Sequence, residues 1–535
     1  MRHAISRRRT IKFLSLATVS VALALAQPVQ SIASDQVTTL RVVLGAEVKI
    51  VDPIATTATE SAIHGMMVFD TLFGLDADLR PQPQMVNSFS VSENRRIYSF
   101  TLREGLSWSD GAPVTAQDCV ASLKRWGAKD GAAQILFANI TNITAVSPQT
   151  FTIELSKHFE PLLDLLAKSG PIIPFMMPRR LAETDPNKRI SETIGSGPFL
   201  FKQDEWVPGN KLVYVKNPHY IPRDEPASGT AGGKRALVDR VEFLTIADPQ
   251  TAFAALRRGE IDFLSEPAPD YLPMLRSDPN IGTGERGRIG SQGMIRLNHL
   301  QPPFDKLEAR LAMEKLVDQQ SMMRALGLGE HARECWAVFG CGSALEMVDG
   351  RPTRDIGEAK KLFLKAGYRG EPIVLLNATD NAALDAAALV LAQEMREAGL
   401  NVDLQSMDWG TLVQRRENKG PRTDGGWNIF LTSLSGPPVT NPLTHPGITA
   451  SCDKAWYGWP CDPQIEDLRL RWPHAQTEEA RRIAGQIQQR VYSEGIYIPF
   501  GQWSLPFAYR KDRLTGVLEV PNLNVFWNIN KSAGR

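Results

Sequence analysis

Ile373-Val374-Leu375-Leu376, then Leu384 to Ala398 closed by Gly399, then Val402-Asp403-Leu404-Gln405: this stretch decides the fold class. The outer pieces are short runs of strand length, and the middle piece is helical and stops at a glycine. Two strands joined through a helix cannot form a tight hairpin. They pair in parallel, which makes the chain α/β. Outward from there, Lys306–Leu316 and Ile356–Ala366 are helical, the second ending at Gly367, and Glu478–Tyr492 is a last long helix. Residues 407–462 are poor in helix pattern and dense in Trp, Gly, Pro and Asn. Val525-Phe526-Trp527-Asn528-Ile529 reads as a closing strand.

Toward the N-terminus, Thr39 to Leu44 is a β-branched, apolar strand. Ile97 to Leu102 alternates Tyr98, Phe100 and Leu102 on one face, Asp110-Gly111 is a turn, and Thr115 with Asp118 forms a capping box. The helix that follows sets Cys119, Val120, Leu123 and Trp126 on one stripe. Phe151 to Leu155 is another alternating strand. Residues 222–235 read as an exposed loop, and helix Thr251–Arg258 stops at Gly259 before strand Ile261–Leu264.

The 535 residues are 43% hydrophobic and 22% charged with a net charge of +1, which excludes wholesale disorder and gives no basic excess for nucleic acid. Residues 1–33 hold five basic side chains, Arg2, Arg7, Arg8, Arg9 and Lys12, and no acid. Phe13 to Ala26 is an apolar run of secretory length, with small-residue exits after Ala26 and Ala33. Residues 1–33 are therefore a signal peptide and the protein is expected in the periplasm. Ser6 to Leu14 resembles a twin-arginine signal; an arginine-rich Sec signal is the alternative. The five cysteines form no CxxC pattern and the eight histidines are scattered, so no zinc site is expected. In an oxidising compartment Cys335 pairs with Cys341 and Cys452 with Cys461, leaving Cys119 in the core.

Catalytic signatures do not hold up. Gly282 to Gly287 matches GxGxxG but is flanked by strand-like sequence instead of opening a helix. Ser451 to Lys454 matches SxxK with no KTG box behind it. No HExxH, GxSxG or Walker loop occurs. No enzyme activity and no cofactor are expected.

Several blocks, in order, resemble the family-5 extracellular solute-binding proteins, the peptide and nickel receptors of ABC importers. They are Val51-Asp52-Pro53, Val68 to Phe73, Tyr98 to Asp118, Gly195-Ser196-Gly197-Pro198-Phe199, Lys216 to Tyr220, Leu256 to Asp262, Pro302-Pro303-Phe304-Asp305 and Ala359 to Tyr368. The resemblance implies a two-lobed periplasmic-binding-protein fold with an additional third domain and a cleft that closes on a hinge. Domain I would comprise 34–80, 196–299 and 503–535, domain II 81–195, and domain III 300–502. It also implies a monomeric receptor that delivers solute to a membrane permease without breaking a bond.

Aromatics in the irregular, Gly- and Pro-rich stretch 407–462 read as pocket walls, and by the resemblance Trp409 and Trp427 sit at cleft positions. Trp409, Trp427, Trp456 and Phe304 are the expected apolar contacts, and Asn428 and Ser433 the polar ones. Relatives that bind peptides anchor the ammonium group with an Asp shortly after a Gly-Trp pair. Here Asn428 to Pro437 follow Gly426-Trp427 and contain no acid, while Asp408 and Asp424 fall outside the pattern. A blocked or modified peptide, or another solute such as an opine, sugar or metal chelate, stays open beside an ordinary peptide. An exported enzyme on the same scaffold is the alternative from another class.

Overall fold

The computed structural model describes residues 37–532 except Arg288 and Pro521. The signal-peptide reading of residues 1–33 lies outside them. Three sheets organise the chain. The first has seven strands in the spatial order Phe199–Phe201, Lys211–Lys216, Arg240–Leu244, Thr39–Val43, Phe263–Leu264, Pro506–Arg510, Ile281–Glu285. Thr39–Val43 runs parallel to both of its neighbours. The second is four-stranded and antiparallel, built from Val86–Val91, Ile97–Leu102, Thr150–Leu155 and Ile140–Ala145. The third has six strands: Ala332–Arg333, Ile498–Trp503, Ser291–Leu297, Ile429–Ser435, Ile373–Ala378 and Val402–Met407.

The deciding stretch forms as its pattern requires. Ile373–Ala378 and Val402–Met407 pair in parallel over six residues, joined by helix Ala382–Glu397. Asn381 caps that helix by accepting from the Leu384 N–H. The Thr115–Asp118 capping box is present, and Cys119, Val120, Leu123 and Trp126 are all buried. Gly259 closes its helix at a φ of +74°, where only glycine is free of strain.

Four expectations change. Strand Ser291–Leu297, inside the 196–299 range expected for domain I, belongs to the third sheet, between Ile429–Ser435 and Ile498–Trp503. The chain therefore crosses between the large sheets at 286–290 and returns at 504–505. Residues 525–529 form no strand. Asn528 turns the chain there at a φ of +63°, its side chain tied to the Arg235 N–H, and Phe526 and Trp527 plug the core of the first sheet. The 222–235 loop is exposed only in part. Its end, Gly229 to Lys234, is buried, and Lys234 pairs with Asp70 at 2.7 Å. Residues 407–462 contain a central strand, Ile429–Ser435, that their Gly- and Trp-rich composition hides.

Candidate functional site

A cavity of about 830 Å³ opens among the three modules. Thr57, Ala58 and Thr59 reach it from the entry to helix Thr59–Val68; Lys129 to Ala132, Lys168 and Ile172 come from the second module. The opposite wall comes from the third sheet and its loops: Trp409, Arg416, Thr432 to Ser435, Leu443 to Pro446, Trp456 and Arg469.

Strand Ile429–Ser435 supplies the floor. Ser291–Leu297 pairs with it along its whole length, whereas Ile373–Ala378 meets it only at Ile429 and Phe430. No other strand pairs with Leu431–Ser435 on that side among the described residues. The sheet thus offers an unpaired edge next to the cavity.

The aromatic wall is assembled by two arginines. Helix Trp409–Arg415 begins at its N-cap, Asp408, which accepts from the Thr411 N–H at 3.0 Å, and the Trp409 N–H donates to Asp380 at 2.7 Å. Arg416 follows Trp409 by seven residues, two helical turns, so the two share a face. Its guanidinium lies 4.3 Å from the Tyr457 ring centroid and 5.6–5.7 Å from those of Trp409, Phe430 and Trp456. Burial holds its pKa below the usual arginine range. Arg296, wholly buried, donates to the carbonyls of Tyr457 and Gly447 and lies 5.0 Å from the Trp456 ring centroid. Its burial lowers its pKa to about 9. Trp456 is therefore held by Arg296 and Arg416, in a loop closed by the Cys452–Cys461 disulfide. Cys335–Cys341 is also bonded, and Cys119 is free and buried.

His445, also on the wall, is neutral. Burial pushes its pKa down to about 3; its Nδ1 accepts from the Gly447 N–H and its Nε2 faces the Val338 carbonyl. Among the described residues no group of three or more His, Cys, Asp or Glu is placed to hold a metal ion. No helix there is long and apolar enough to cross a membrane.

The six sequence-derived contacts divide evenly. Trp409, Ser433 and Trp456 line the cavity. Trp427 does not: it is 0% exposed, packed on Phe430 and Trp459, with its indole N–H donated to the Arg416 carbonyl at 3.1 Å. Phe304 is likewise buried, in the core under helix Leu307–Leu316. Asn428 is a brace. Its Oδ1 accepts from the Val374 N–H and its Nδ2 donates to the Pro302 carbonyl, which fixes the start of the central strand. Asp408 and Asp424 are exposed and off the cavity wall. Arg296 and Arg416 were missed. The available signals were an arginine inside the apolar run Met294-Ile295-Arg296-Leu297, and the helical spacing of Arg416 from Trp409.

Comparison with known proteins assigns the family. Bacterial extracellular solute-binding proteins, family 5 Middle, match residues 80–454. The chain belongs to this family. It is a solute-binding protein of the ABC-transporter type, from an extracytoplasmic family, and not an enzyme. It is 40% identical over 491 residues to the probable peptide ABC transporter periplasmic-binding protein y4tO of Sinorhizobium fredii, covering 90% of this chain and 92% of the relative. It is 24% identical over 497 residues to the glutathione-binding protein GsiB of Escherichia coli, with the same coverage. Its fold matches that of AgaA from A. tumefaciens R10, solved with agropinic acid, at a TM-score of 0.77 and 19% identity, covering 93% of this chain and 99% of that one. The three-module α/β architecture is that of this family.

Proposed function

We propose that this solute-binding protein is the periplasmic receptor of a peptide-type ABC importer, and that its cleft closes on the solute before docking on the membrane permease. The open edge of strand Ile429–Ser435 beside the cavity carries this reading. An extended peptide satisfies such an edge as an added strand, through main-chain hydrogen bonds that tolerate many side chains. Trp409 and Trp456 then pack on the solute, and Ser433 supplies a polar contact. The relative at 40% identity, named as a peptide-binding protein, supports the same class. Domain I corresponds to the first sheet, domain II to the second and domain III to the third, with the hinge at the two crossings, 286–290 and 504–505. Solute touching both lobes stabilises the closed state over the open one by its differential contacts.

Calorimetry with tri- to pentapeptides, both free-amine and N-acetylated, paired with small-angle scattering, tests this. One-to-one binding with a fall in the radius of gyration is expected. A panel in which no peptide binds, while a sugar or a metal chelate does, sinks the peptide class and leaves the receptor.

A further inference from the structure

Where the cavity wall is charged, it is cationic. Lys129, Lys168, Arg416 and Arg469 line it against a single acid, Asp130. That acid is fully engaged. One oxygen accepts from the N–H groups of Ala132 and Ala133, and the other is held by Lys168. Arg469 is held by Glu466, and Lys129 donates to the Asn187 amide. Arg416 differs from Lys168 and Arg469 in having no carboxylate ion-paired with it among the described residues, and from Lys129, whose partner is an amide, in lying against aromatic rings. Its Nε is buried without a hydrogen-bond partner. The Tyr457 hydroxyl is the side-chain acceptor beside it, and that hydroxyl also lies 3.3 Å from Glu417. Aromatic faces stabilise the charge of a guanidinium but satisfy none of its five N–H groups.

We infer that Arg416 is the anion anchor of the cleft, and that the solute presents a carboxylate to its guanidinium and no free ammonium to this wall. The inference rests on the cavity being the solute site, as proposed above. A planar fork of donors matches a carboxylate in two parallel hydrogen bonds, and enclosure by aromatic rings keeps water from competing. The converse holds for an ammonium group. Asn428 to Pro437 contain no acid, and both oxygens of Asp130 are already engaged, one of them by a lysine. A smaller recess of about 210 Å³, sharing Thr59, Ser433 and Ser435, contains Glu266, but Arg286 already holds that carboxylate. A desolvated cation with no partner is costly. The solute class is thus an acid with a blocked or absent amine: an acylated peptide with a free C-terminus fits it, and a free-amine peptide does not.

The full-length exported protein is equilibrated with three pools made from one casein hydrolysate of di- to pentapeptides: untreated, N-acetylated and methyl-esterified. Retained species are read by native mass spectrometry. Retention from the acetylated pool should exceed that from the esterified pool by about tenfold or more. R416Q should abolish the difference, while R416K, which keeps the charge without the fork, should restore only part of it. Retention from the esterified pool with loss on acetylation overturns the anchor and leaves the peptide receptor standing. Equal retention by R416Q and the natural protein also overturns the anchor. Retention from none of the pools overturns both readings.

Discussion

Trp427 has its whole side chain inside the lobe and its indole N–H committed to a backbone carbonyl, whereas Trp456 leaves part of its ring on the cavity. Both occur in the same Gly- and Trp-rich stretch, so residue type alone does not separate a core tryptophan from a wall tryptophan. Their truncations should separate them. Trp427→Ala removes a large buried side chain and should cost about 3–5 kcal/mol in urea unfolding. Trp456→Ala, half-buried, should cost less stability but weaken solute binding by about tenfold or more in calorimetry. Equal stability losses from the two would show that Trp456 is core as well.

At the level of elements, the aromatic side of the cavity consists of loops fastened to a strand. The Arg296 guanidinium ties strand Ser291–Leu297 to the loop that carries Trp456, and the Cys452–Cys461 bond closes that loop. Cys335–Cys341 closes a loop off the cavity wall, where the Cys341 N–H and carbonyl meet the Gln502 side chain. Each bridge closes a short loop, so each should contribute about 2–3 kcal/mol or less. The two should differ in function. Replacing Cys452 and Cys461 by Ser should weaken solute binding as well as stability. Replacing Cys335 and Cys341 by Ser should lower the unfolding midpoint and leave the dissociation constant within about twofold. Calorimetry beside urea titration of the two double variants distinguishes them, and unchanged binding in the first would show that the loop is held without its bridge.

On the scale of the whole molecule, two short crossings connect the large sheets, and each large lobe buries a neutral histidine. His64 lies in the core of the first lobe and His445 in the third module, both with pKa values lowered by burial to about 3. Unfolding returns each to the ordinary value near 6.5, so between those values the unfolded chain binds more protons. Their contribution is therefore complete above about pH 6.5 and is lost as pH falls toward 3. Glu394 acts in the opposite sense. Burial raises its pKa to about 7, so its contribution fades as pH rises from about 4.5 to 7. A substitution isolates the histidine effect: His445→Gln should make the fall in stability between pH 6.5 and 4 shallower by about one proton. Urea unfolding at a series of pH values measures it, and an unchanged slope would mean that His445 is protonated in the folded protein.

The sequence by itself determined the class of fold and most of its elements, because those follow from local rules. Alternation in Ile97–Leu102, the Thr115–Asp118 capping box, and the helices ending at Gly259, Gly367 and Gly399 depend on near neighbours, which the chain order displays. The ordered family blocks carried the three-module architecture, and the two close cysteine pairs were legible from spacing and compartment. What lines the cleft was decided by tertiary structure. Trp427, Phe304 and Asn428 were turned inward by contacts with Trp459, the helix Leu307–Leu316 core and Pro302, all distant in sequence or on other elements. Arg296 and Arg416 acquired their roles only when strand and helix brought both guanidinium groups to the Trp456 ring. The strand Ile429–Ser435 was hidden for the same reason: its pairing partners begin at Ser291 and Ile373, and long-range pairing leaves no periodic trace in a stretch otherwise rich in turns.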